Sequence, residues 1–311
     1  MALDPQVEKL LANIAQANLP ALNELSPAAA RKQMLDATAV LGEPQPVESV
    51  EDCSAPGPSG EIPLRIYRPA GEELPVVVYF HGGGWVIGSI DTHDGYCRAL
   101  ANAAKAIVVS VDYRLAPEHR FPAAAEDCFA ATQWVNNQLD RLGGRVGSLT
   151  VAGDSAGGNL AAVVALMARD RGGADIARQI LFYPITDHDF STASYVDFAS
   201  DYFLTRAAMI WFWDHYCPED TDRDHPYLSP LRAENLAGLP KALVVTAAYD
   251  PLCDEGEAYA ARLRKAGVDV TLARYDGMIH GFIRRFDAFD KAQECLRSTA
   301  AFINAAVSSH R

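Results

Sequence analysis

Residues 149–162, Leu149-Thr-Val-Ala-Gly-Asp-Ser-Ala-Gly-Gly-Asn-Leu-Ala-Ala162, join a short apolar run to a run of small residues through the pattern G-x-S-x-G. The pattern predicts a strand over Leu149–Ala152, a tight turn at Ser155 and a helix over Ser155–Arg169. Such a turn holds the serine hydroxyl clear of the backbone, and the flanking glycines are needed because side chains would collide there. The helix N-terminus also places partial positive charge beneath an anion formed at the serine. Ser155 is therefore predicted to be a nucleophile; the alternative is a glycine-rich turn with a solvated serine.

Short, nearly continuous apolar runs recur on both sides of this turn and are separated by helical stretches. Strands buried on both faces of a sheet have this pattern, and strand–helix alternation predicts a mostly parallel sheet flanked by helices. The predicted strands are Val47–Glu51, Ile62–Arg68, Val76–Phe80, Ile107–Val111, Leu149–Ala152, Ile180–Tyr183, Leu243–Thr246 and Val268–Tyr275. The predicted helices are Asp4–Asn18, Pro27–Leu41, Gly95–Ala104, Ala123–Leu139, Ser155–Arg169, Asp254–Ala266 and Ala288–Val307. The turn-rich stretch Ser54–Gly60 is expected to separate the first two strands.

The segment between Pro184 and Pro240 interrupts this alternation. It is rich in aromatic residues, has no clear strand pattern and contains one helical stretch, Arg206–Tyr216. We expect residues 185–240 to be an insertion that caps a substrate pocket, together with N-terminal helices in residues 1–45. Residues 46–184 and 241–311 would then form the catalytic domain. The alternative is a large connecting loop with its own small core.

The sequence His81-Gly-Gly-Gly-Trp85 directly follows the predicted strand Val76–Phe80. Acyl transfer needs preorganised donors for the tetrahedral oxyanion, and glycines let backbone N–H groups approach that oxygen. We expect the N–H groups of Gly83, Gly84 and Ala156 to form this oxyanion hole. Phosphate binding is the other use of such a loop, but neither G-x-G-x-x-G nor G-K-[ST] is present. His81 is expected to be structural.

A serine nucleophile also needs a histidine base and a carboxylate that orients the histidine. On a sheet of this kind the chain order is Ser, Asp or Glu, then His. Asp250 lies just past a predicted strand, and His280 follows the last strand, so we assign them as acid and base. Asp254 is expected to N-cap the following helix, with Glu257 completing a capping box.

Composition limits the class of protein and its partners. The chain has 27 Lys and Arg against 40 Asp and Glu, a formal charge of −13, which disfavours nucleic acid and anionic membranes as partners. Its 49% hydrophobic and 22% charged residues are typical of a soluble globular protein, and no apolar run is long enough to span a bilayer. The six cysteines are spread along the chain without C-x-x-C pairs, and the N-terminus lacks a signal-peptide pattern. We therefore expect reduced thiols and a cytoplasmic location.

Taken together, these motifs closely resemble those of the hormone-sensitive-lipase-like family of bacterial carboxylesterases. The resemblance covers the chain from about residue 60 to the end, and the N-terminal helices also fit. The motifs are His81-Gly-Gly-Gly-Trp85, Tyr113-Arg-Leu-Ala-Pro-Glu118, Gly153-Asp-Ser-Ala-Gly-Gly-Asn159, Asp250-Pro-Leu-Cys-Asp-Glu-Gly256 and His280-Gly-Phe282. One departure is Cys253, where a basic residue is common.

The resemblance implies an α/β-hydrolase fold, with an eight-stranded, mostly parallel sheet and a helical cap. It implies a Ser155–His280–Asp250 triad, an oxyanion hole of Gly83, Gly84 and Ala156, and no metal or cofactor. The expected reaction is hydrolysis of neutral short- to medium-chain acyl esters; an amidase, lactonase or arylesterase on the same scaffold, or a non-catalytic binder, are the alternatives. A homodimer through the last strand is also implied. Tyr113–Glu118 would be structural, with Arg114 paired to Glu118.

Overall fold

The computed structural model describes residues 2–39 and 41–305, and an eight-stranded sheet forms its centre. The strands are β1 (Ser49–Gly57), β2 (Gly60–Arg68), β3 (Val76–Phe80), β4 (Ile107–Val111), β5 (Thr150–Asp154), β6 (Arg178–Phe182), β7 (Lys241–Tyr249) and β8 (Val270–Ile279). Their order across the sheet is β1-β2-β4-β3-β5-β6-β7-β8. The strand β2 pairs antiparallel with both neighbours, whereas the pairs from β4 to β8 are parallel. The predicted eight-stranded, mostly parallel α/β-hydrolase sheet is confirmed.

Helices cover both faces of this sheet. The helices of the described residues, including two between β6 and β7, are α1 (Pro5–Ala17), α2 (Pro27–Thr38), α3 (Ile90–Ala104), α4 (Ala123–Asn137), α5 (Leu139–Leu142), α6 (Ala156–Arg171), α7 (Ala193–Asp197), α8 (Arg206–Tyr216), α9 (Cys253–Lys265) and α10 (Asp290–Asn304). Alternate residues of β3 point to opposite faces: Val77 packs in a cluster with Leu100 of α3, and Val78 packs in a cluster with Leu160 of α6. Burial on both faces is what the continuous apolar runs predicted.

The first hairpin differs from the sequence prediction. The strand β1 does not end near Glu51 but continues to Gly57, and the pairing with β2 closes at Gly57 and Gly60. Pro56 is tolerated because β1 is an edge strand, where a missing N–H need not break a ladder on both sides. The predicted turn over Ser54–Gly60 is therefore wrong for most of its length: Ser54–Gly57 belong to β1, Gly60 begins β2, and only residues 58 and 59 form the turn. The predicted end of the closing helix, Val307, lies outside the described residues.

The residues between β6 and β7 form short helices and loops rather than a strand. They contain α7, α8 and the 3-10 turn Pro230–Arg232, and α8 has the predicted bounds. The ring of Tyr216 in α8 stacks on Trp85 at 4.2 Å between centroids, and Trp213 meets the same indole edge-on at 5.2 Å. This segment therefore packs directly on the loop that follows β3. No helix in residues 2–39 or 41–305 is both long enough and apolar enough to cross a membrane. All six cysteines have free thiols.

Candidate active site

Ser155 occupies a sharp turn between β5 and α6, as the motif predicted. Its backbone angles are φ 57° and ψ −118°, a positive φ that a non-glycine residue adopts only at a cost. Its N–H donates to the carbonyl oxygen of Phe182 at 2.9 Å, which ties the turn to the end of β6. A Cβ on Gly157 would lie 1.9 Å from the carbonyl oxygen of Phe80, so only glycine fits where the helix begins against β3. The surrounding strands hold the serine in its strained conformation.

Asp250 and His280 are in direct contact at the same edge of the sheet. Asp250 is the first residue after β7 and His280 the first after β8. Atom Oδ2 of Asp250 lies 2.7 Å from Nδ1 of His280, and Oδ1 accepts the N–H of Leu252 at 3.0 Å. Both residues are buried, and the ring of Tyr183 lies 4.6 Å from the imidazole between centroids. The two carboxylate oxygens therefore have separate hydrogen-bond partners, and the histidine ring is held from two sides.

The predicted capping role of Asp254 is wrong. The helix α9 begins at Cys253, and its N-cap residue is Leu252, without a side-chain capping bond. The carboxylate of Asp254 instead accepts the N–H of Ser194 at 2.9 Å, across to the segment between β6 and β7. Glu257 pairs with Arg274 at 3.1 Å and does not reach back to a cap. The turn that begins at Asp250 starts the helix one residue earlier than the sequence suggested, so Asp254 falls inside its first turn.

Among the described residues, backbone donors without an acceptor occur in the loop after β3 and at Ala156, the first residue of α6 and the neighbour of Ser155. Its backbone turns through positive φ at Gly83 (124°), Gly84 (57°) and Trp85 (61°). The carbonyl oxygen of Gly83 accepts two N–H groups from within the loop. Within the part of the chain that the structure describes, the N–H groups of Gly83, Gly84 and Ala156 have no hydrogen-bond acceptor. A Cβ on Gly84 would lie 2.2 Å from the ring of Phe212 in α8. The segment between β6 and β7 therefore packs on this loop at Gly84 as well as at Trp85.

Asp154, at the end of β5, contacts the loop after β3 and the end of β3 itself. Its Oδ1 accepts the Tyr79 hydroxyl at 2.8 Å and the Gly82 N–H at 3.0 Å, and Nε2 of His93 lies 3.3 Å away. Burial alone would raise the pKa of Asp154, but the neighbouring His93 and the Tyr79 hydrogen bond outweigh it and hold the pKa below its ordinary value. Burial lowers the pKa of His81 to about 3, so that imidazole is neutral. The sequence motif did not predict this role of Asp154, because Tyr79, Gly82 and His93 are all distant from it in sequence.

Replacing Asp154 with asparagine should lower the free energy of unfolding by about 1.5–3 kcal/mol at pH 7, because hydrogen bonds to a charged acceptor are lost. A depressed carboxyl pKa stabilises the fold above its unfolded value, about 3.9, and that stabilisation disappears as pH falls through the folded value. In urea unfolding, the difference from wild type should be constant between about pH 7 and 5 and should shrink below about pH 4. Asp36→Asn, which removes only an exposed partner of Lys32, is the control. An Asp154→Asn deficit that does not change with pH would contradict the assignment.

The expected pairing of Arg114 with Glu118 is also wrong. Arg114 binds Asp127 of α4 through two side-chain nitrogens, at 2.7 and 2.8 Å. Glu118 binds Arg31 of α2, at 2.6 and 2.9 Å. Both residues still brace the loop, as expected, but each does so through a partner from another helix. The short sequence spacing between Arg114 and Glu118 did not indicate that each would find a partner elsewhere.

Comparisons with known proteins agree with this architecture. A family model described as alpha/beta hydrolase fold matches residues 77–284. The carboxylic ester hydrolase LipN of Mycobacterium tuberculosis is 46% identical over 265 residues, which cover 83% of this chain and 70% of LipN. An arylesterase of Saccharolobus solfataricus is 37% identical and covers 91% of this chain and 93% of its own. The solved structure of a hyperthermophilic esterase from Pyrobaculum calidifontis superposes with a TM-score of 0.93 at 45% identity, covering 97% and 98% of the two chains. The chain therefore belongs to the alpha/beta-hydrolase-fold family, in the hormone-sensitive-lipase-like group that its motifs predicted.

Proposed function

We propose that the protein is a serine carboxylesterase in which Ser155 is the nucleophile, His280 the general base and Asp250 the carboxylate that orients it. The observation that carries this proposal is the 2.7 Å contact between Asp250 and His280 at the edge of the sheet where Ser155 holds its strained turn. A carboxylate on Nδ1 leaves Nε2 as the proton acceptor, which is the form that a serine nucleophile requires.

The reaction has two steps that use the same groups. Ser155 attacks the ester carbonyl while His280 takes its proton, and the C–O bond to the alcohol breaks as His280 returns that proton to the leaving oxygen. Water then attacks the acyl-enzyme by the same route, which releases the acid and restores Ser155. The free N–H groups of Gly83, Gly84 and Ala156 would hold the oxyanion in both steps. The residues described here need no metal or cofactor for this chemistry.

We propose that residues 185–240, with the N-terminal helices in residues 1–45, form the cap over the acyl pocket. Two contacts support this: the Phe212 ring packs on Gly84, and Phe203 lies within 3.4 Å of where a Cβ on Gly281 would be, beside His280. An aromatic wall next to the reacting groups favours neutral apolar acyl chains. The formal charge of −13 also favours neutral substrates, because it repels acidic ones.

Hydrolysis of p-nitrophenyl esters from acetate to palmitate tests the substrate class. We expect kcat/KM to peak at short or medium chains and to fall by about 10-fold or more at the longest. Each group of the acyl chain that fits the pocket adds only about 1–3 kcal/mol of binding free energy, and the end of a longer chain does not fit. Turnover that rises with chain length into insoluble triglycerides would contradict a short- to medium-chain carboxylesterase.

Matched ester and amide substrates with the same acyl group test the reaction type. A kcat/KM that favours the ester supports the carboxylesterase assignment, and one that favours the amide identifies an amidase on the same scaffold. If neither is hydrolysed, labelling by a fluorophosphonate distinguishes an enzyme with a narrow substrate range from a non-catalytic binder.

We further propose a homodimer through β8 and a cytoplasmic location. The strand β8 lies at the edge of the sheet with β7 as its strand partner, and an edge strand can pair with a strand of another chain. Near its end the Gly277 carbonyl oxygen already accepts the N–H of Asp4, so such pairing would use the earlier part of β8. The unpaired thiols suit a reducing compartment. Sedimentation velocity and cell fractionation test the two proposals, respectively.

A further inference from the structure

Arg31, on the N-terminal helix α2, reaches the loop that carries the predicted oxyanion donors. Its Nε donates to the carbonyl oxygen of Val86 at 2.8 Å, and Nη2 donates to the carbonyl oxygen of Ala116 at 2.9 Å. The Ala116 N–H donates in turn to the carbonyl oxygen of Trp85 at 2.9 Å. One guanidinium therefore fixes two consecutive carbonyls of the loop, one directly and one through Ala116.

The same loop contains a strained backbone position, and strain of this kind persists only where the surroundings hold it. Trp85 has a φ of 61° although it is not glycine, and it follows Gly83 and Gly84, which also have positive φ. The N–H of Val86 donates back to the carbonyl oxygen of Gly83 at 3.1 Å. A shift of Val86 would therefore turn the Gly83 and Gly84 peptides, and with them the direction of their N–H groups.

Glu118 binds the same guanidinium, in addition to the two carbonyl oxygens. It binds Nη1 and Nη2 of Arg31 at 2.9 and 2.6 Å, and this hydrogen-bonded pair lowers the pKa of Glu118 to about 2. The Glu118 side chain is 54% exposed, so the ion pair itself contributes little to stability. Among the described residues of α2 only Ala30 is fully buried, and Arg31 connects this helix to the loop through its hydrogen bonds to Val86 and Ala116.

We infer that Arg31 is a positioning residue for the oxyanion hole, supplied by the N-terminal helices rather than by the catalytic domain. This inference rests on the proposed function. Donors of an oxyanion hole act on charge that develops in the transition state, so their misplacement lowers kcat and leaves KM nearly unchanged. A residue that merely stabilised the fold would lower the melting temperature without changing kcat of the folded enzyme.

The experiment compares wild type with Arg31→Ala, Arg31→Lys, Glu118→Gln and Lys32→Ala, by kcat and KM for p-nitrophenyl butyrate and by Tm. We expect Arg31→Ala to lower kcat by about 10- to 100-fold with KM changed less than about 3-fold. Ethylguanidinium should restore part of the lost kcat in Arg31→Ala. The effect of Arg31→Lys should be intermediate, because a single ammonium lacks the planar fork that reaches both carbonyls. Glu118→Gln should cost less than about 3-fold, because it leaves those carbonyl contacts in place.

Lys32→Ala is the matched control, since Lys32 lies on the same helix and pairs with Asp36 on the surface, away from the loop. It should leave kcat, KM and Tm at their wild-type values. Wild-type kcat in Arg31→Ala, with or without a lower Tm, would overturn the positioning role, as would a lost kcat without rescue by ethylguanidinium. If Arg31→Ala does not fold, Arg31→Lys decides: a kcat about 5-fold or more below wild type at an unchanged Tm supports the role, and wild-type kcat overturns it. Absence of both turnover and fluorophosphonate labelling in wild type would overturn the proposed function and this role together.

Discussion

Ser155→Ala is expected to lower kcat for p-nitrophenyl butyrate by about 10⁴-fold or more, with the protein folded and its Tm close to wild type. The reason is that the acyl-enzyme route depends on the hydroxyl, and what remains is the catalysis that oxyanion donors and binding supply to water. The substitution also keeps the hydrogen bond that ties the turn to β6, because the N–H of Ser155, not its hydroxyl, donates to Phe182. Steady-state kinetics and thermal unfolding on the same preparation measure the two effects.

Ser110→Ala is the matched control for this loss. Ser110 is a buried serine of β4, two strands away from β5 in the sheet, so its removal should leave kcat within about 2-fold of wild type. A fluorophosphonate should label wild type and Ser110→Ala stoichiometrically and should not label Ser155→Ala. If Ser155→Ala keeps more than about a tenth of the wild-type kcat, or still takes the label, the nucleophile is another residue.

The elements nearest to this turn were the most predictable from sequence, because their signals are local. The apolar run before Gly153 and the small residues after it identify a strand and a helix within 14 residues, and the structure has β5 and α6 there. The placement of Asp250 and His280 after β7 and β8 follows from the same rule, since parallel strands end at one edge of the sheet. Each of these signals can be read from a residue and its immediate neighbours.

Predictions about side-chain partners failed where the partner is distant in sequence. Arg114 was expected to pair four residues away but pairs with Asp127 on another element, and Glu118 pairs with Arg31, 87 residues earlier. Asp254 was expected to cap its own helix but binds Ser194, 60 residues earlier. A charged side chain can reach several possible partners, and the packing of the folded chain determines which of them lies within hydrogen-bond distance. The helix α2 itself was predicted, but nothing in its sequence indicated that Arg31 would reach the glycine loop.

Asp250→Asn is expected to lower kcat by about 10⁴-fold while keeping the shape of the site. Oδ1 of Asp250 accepts the N–H of Leu252, so the amide oxygen of asparagine must take that position and the amide NH₂ must face His280. An NH₂ group donates where the carboxylate accepted, and Nδ1 of His280 would become the acceptor. The proton would then reside on Nε2, where it prevents the imidazole from taking the proton of Ser155.

Asp254→Asn makes the same substitution at the nearest other carboxylate along the chain, and it is the matched control for Asp250→Asn. Its carboxylate contacts Ser194, not His280, so asparagine there should leave kcat within about 3-fold of wild type and lower Tm slightly. The two variants carry the same change of charge, four residues apart, and differ in whether the histidine loses its acceptor. A comparable loss of kcat in both would mean that the effect is electrostatic and general, and it would remove Asp250 from the triad. A large loss in Asp250→Asn alone assigns the orienting role to the carboxylate that contacts Nδ1.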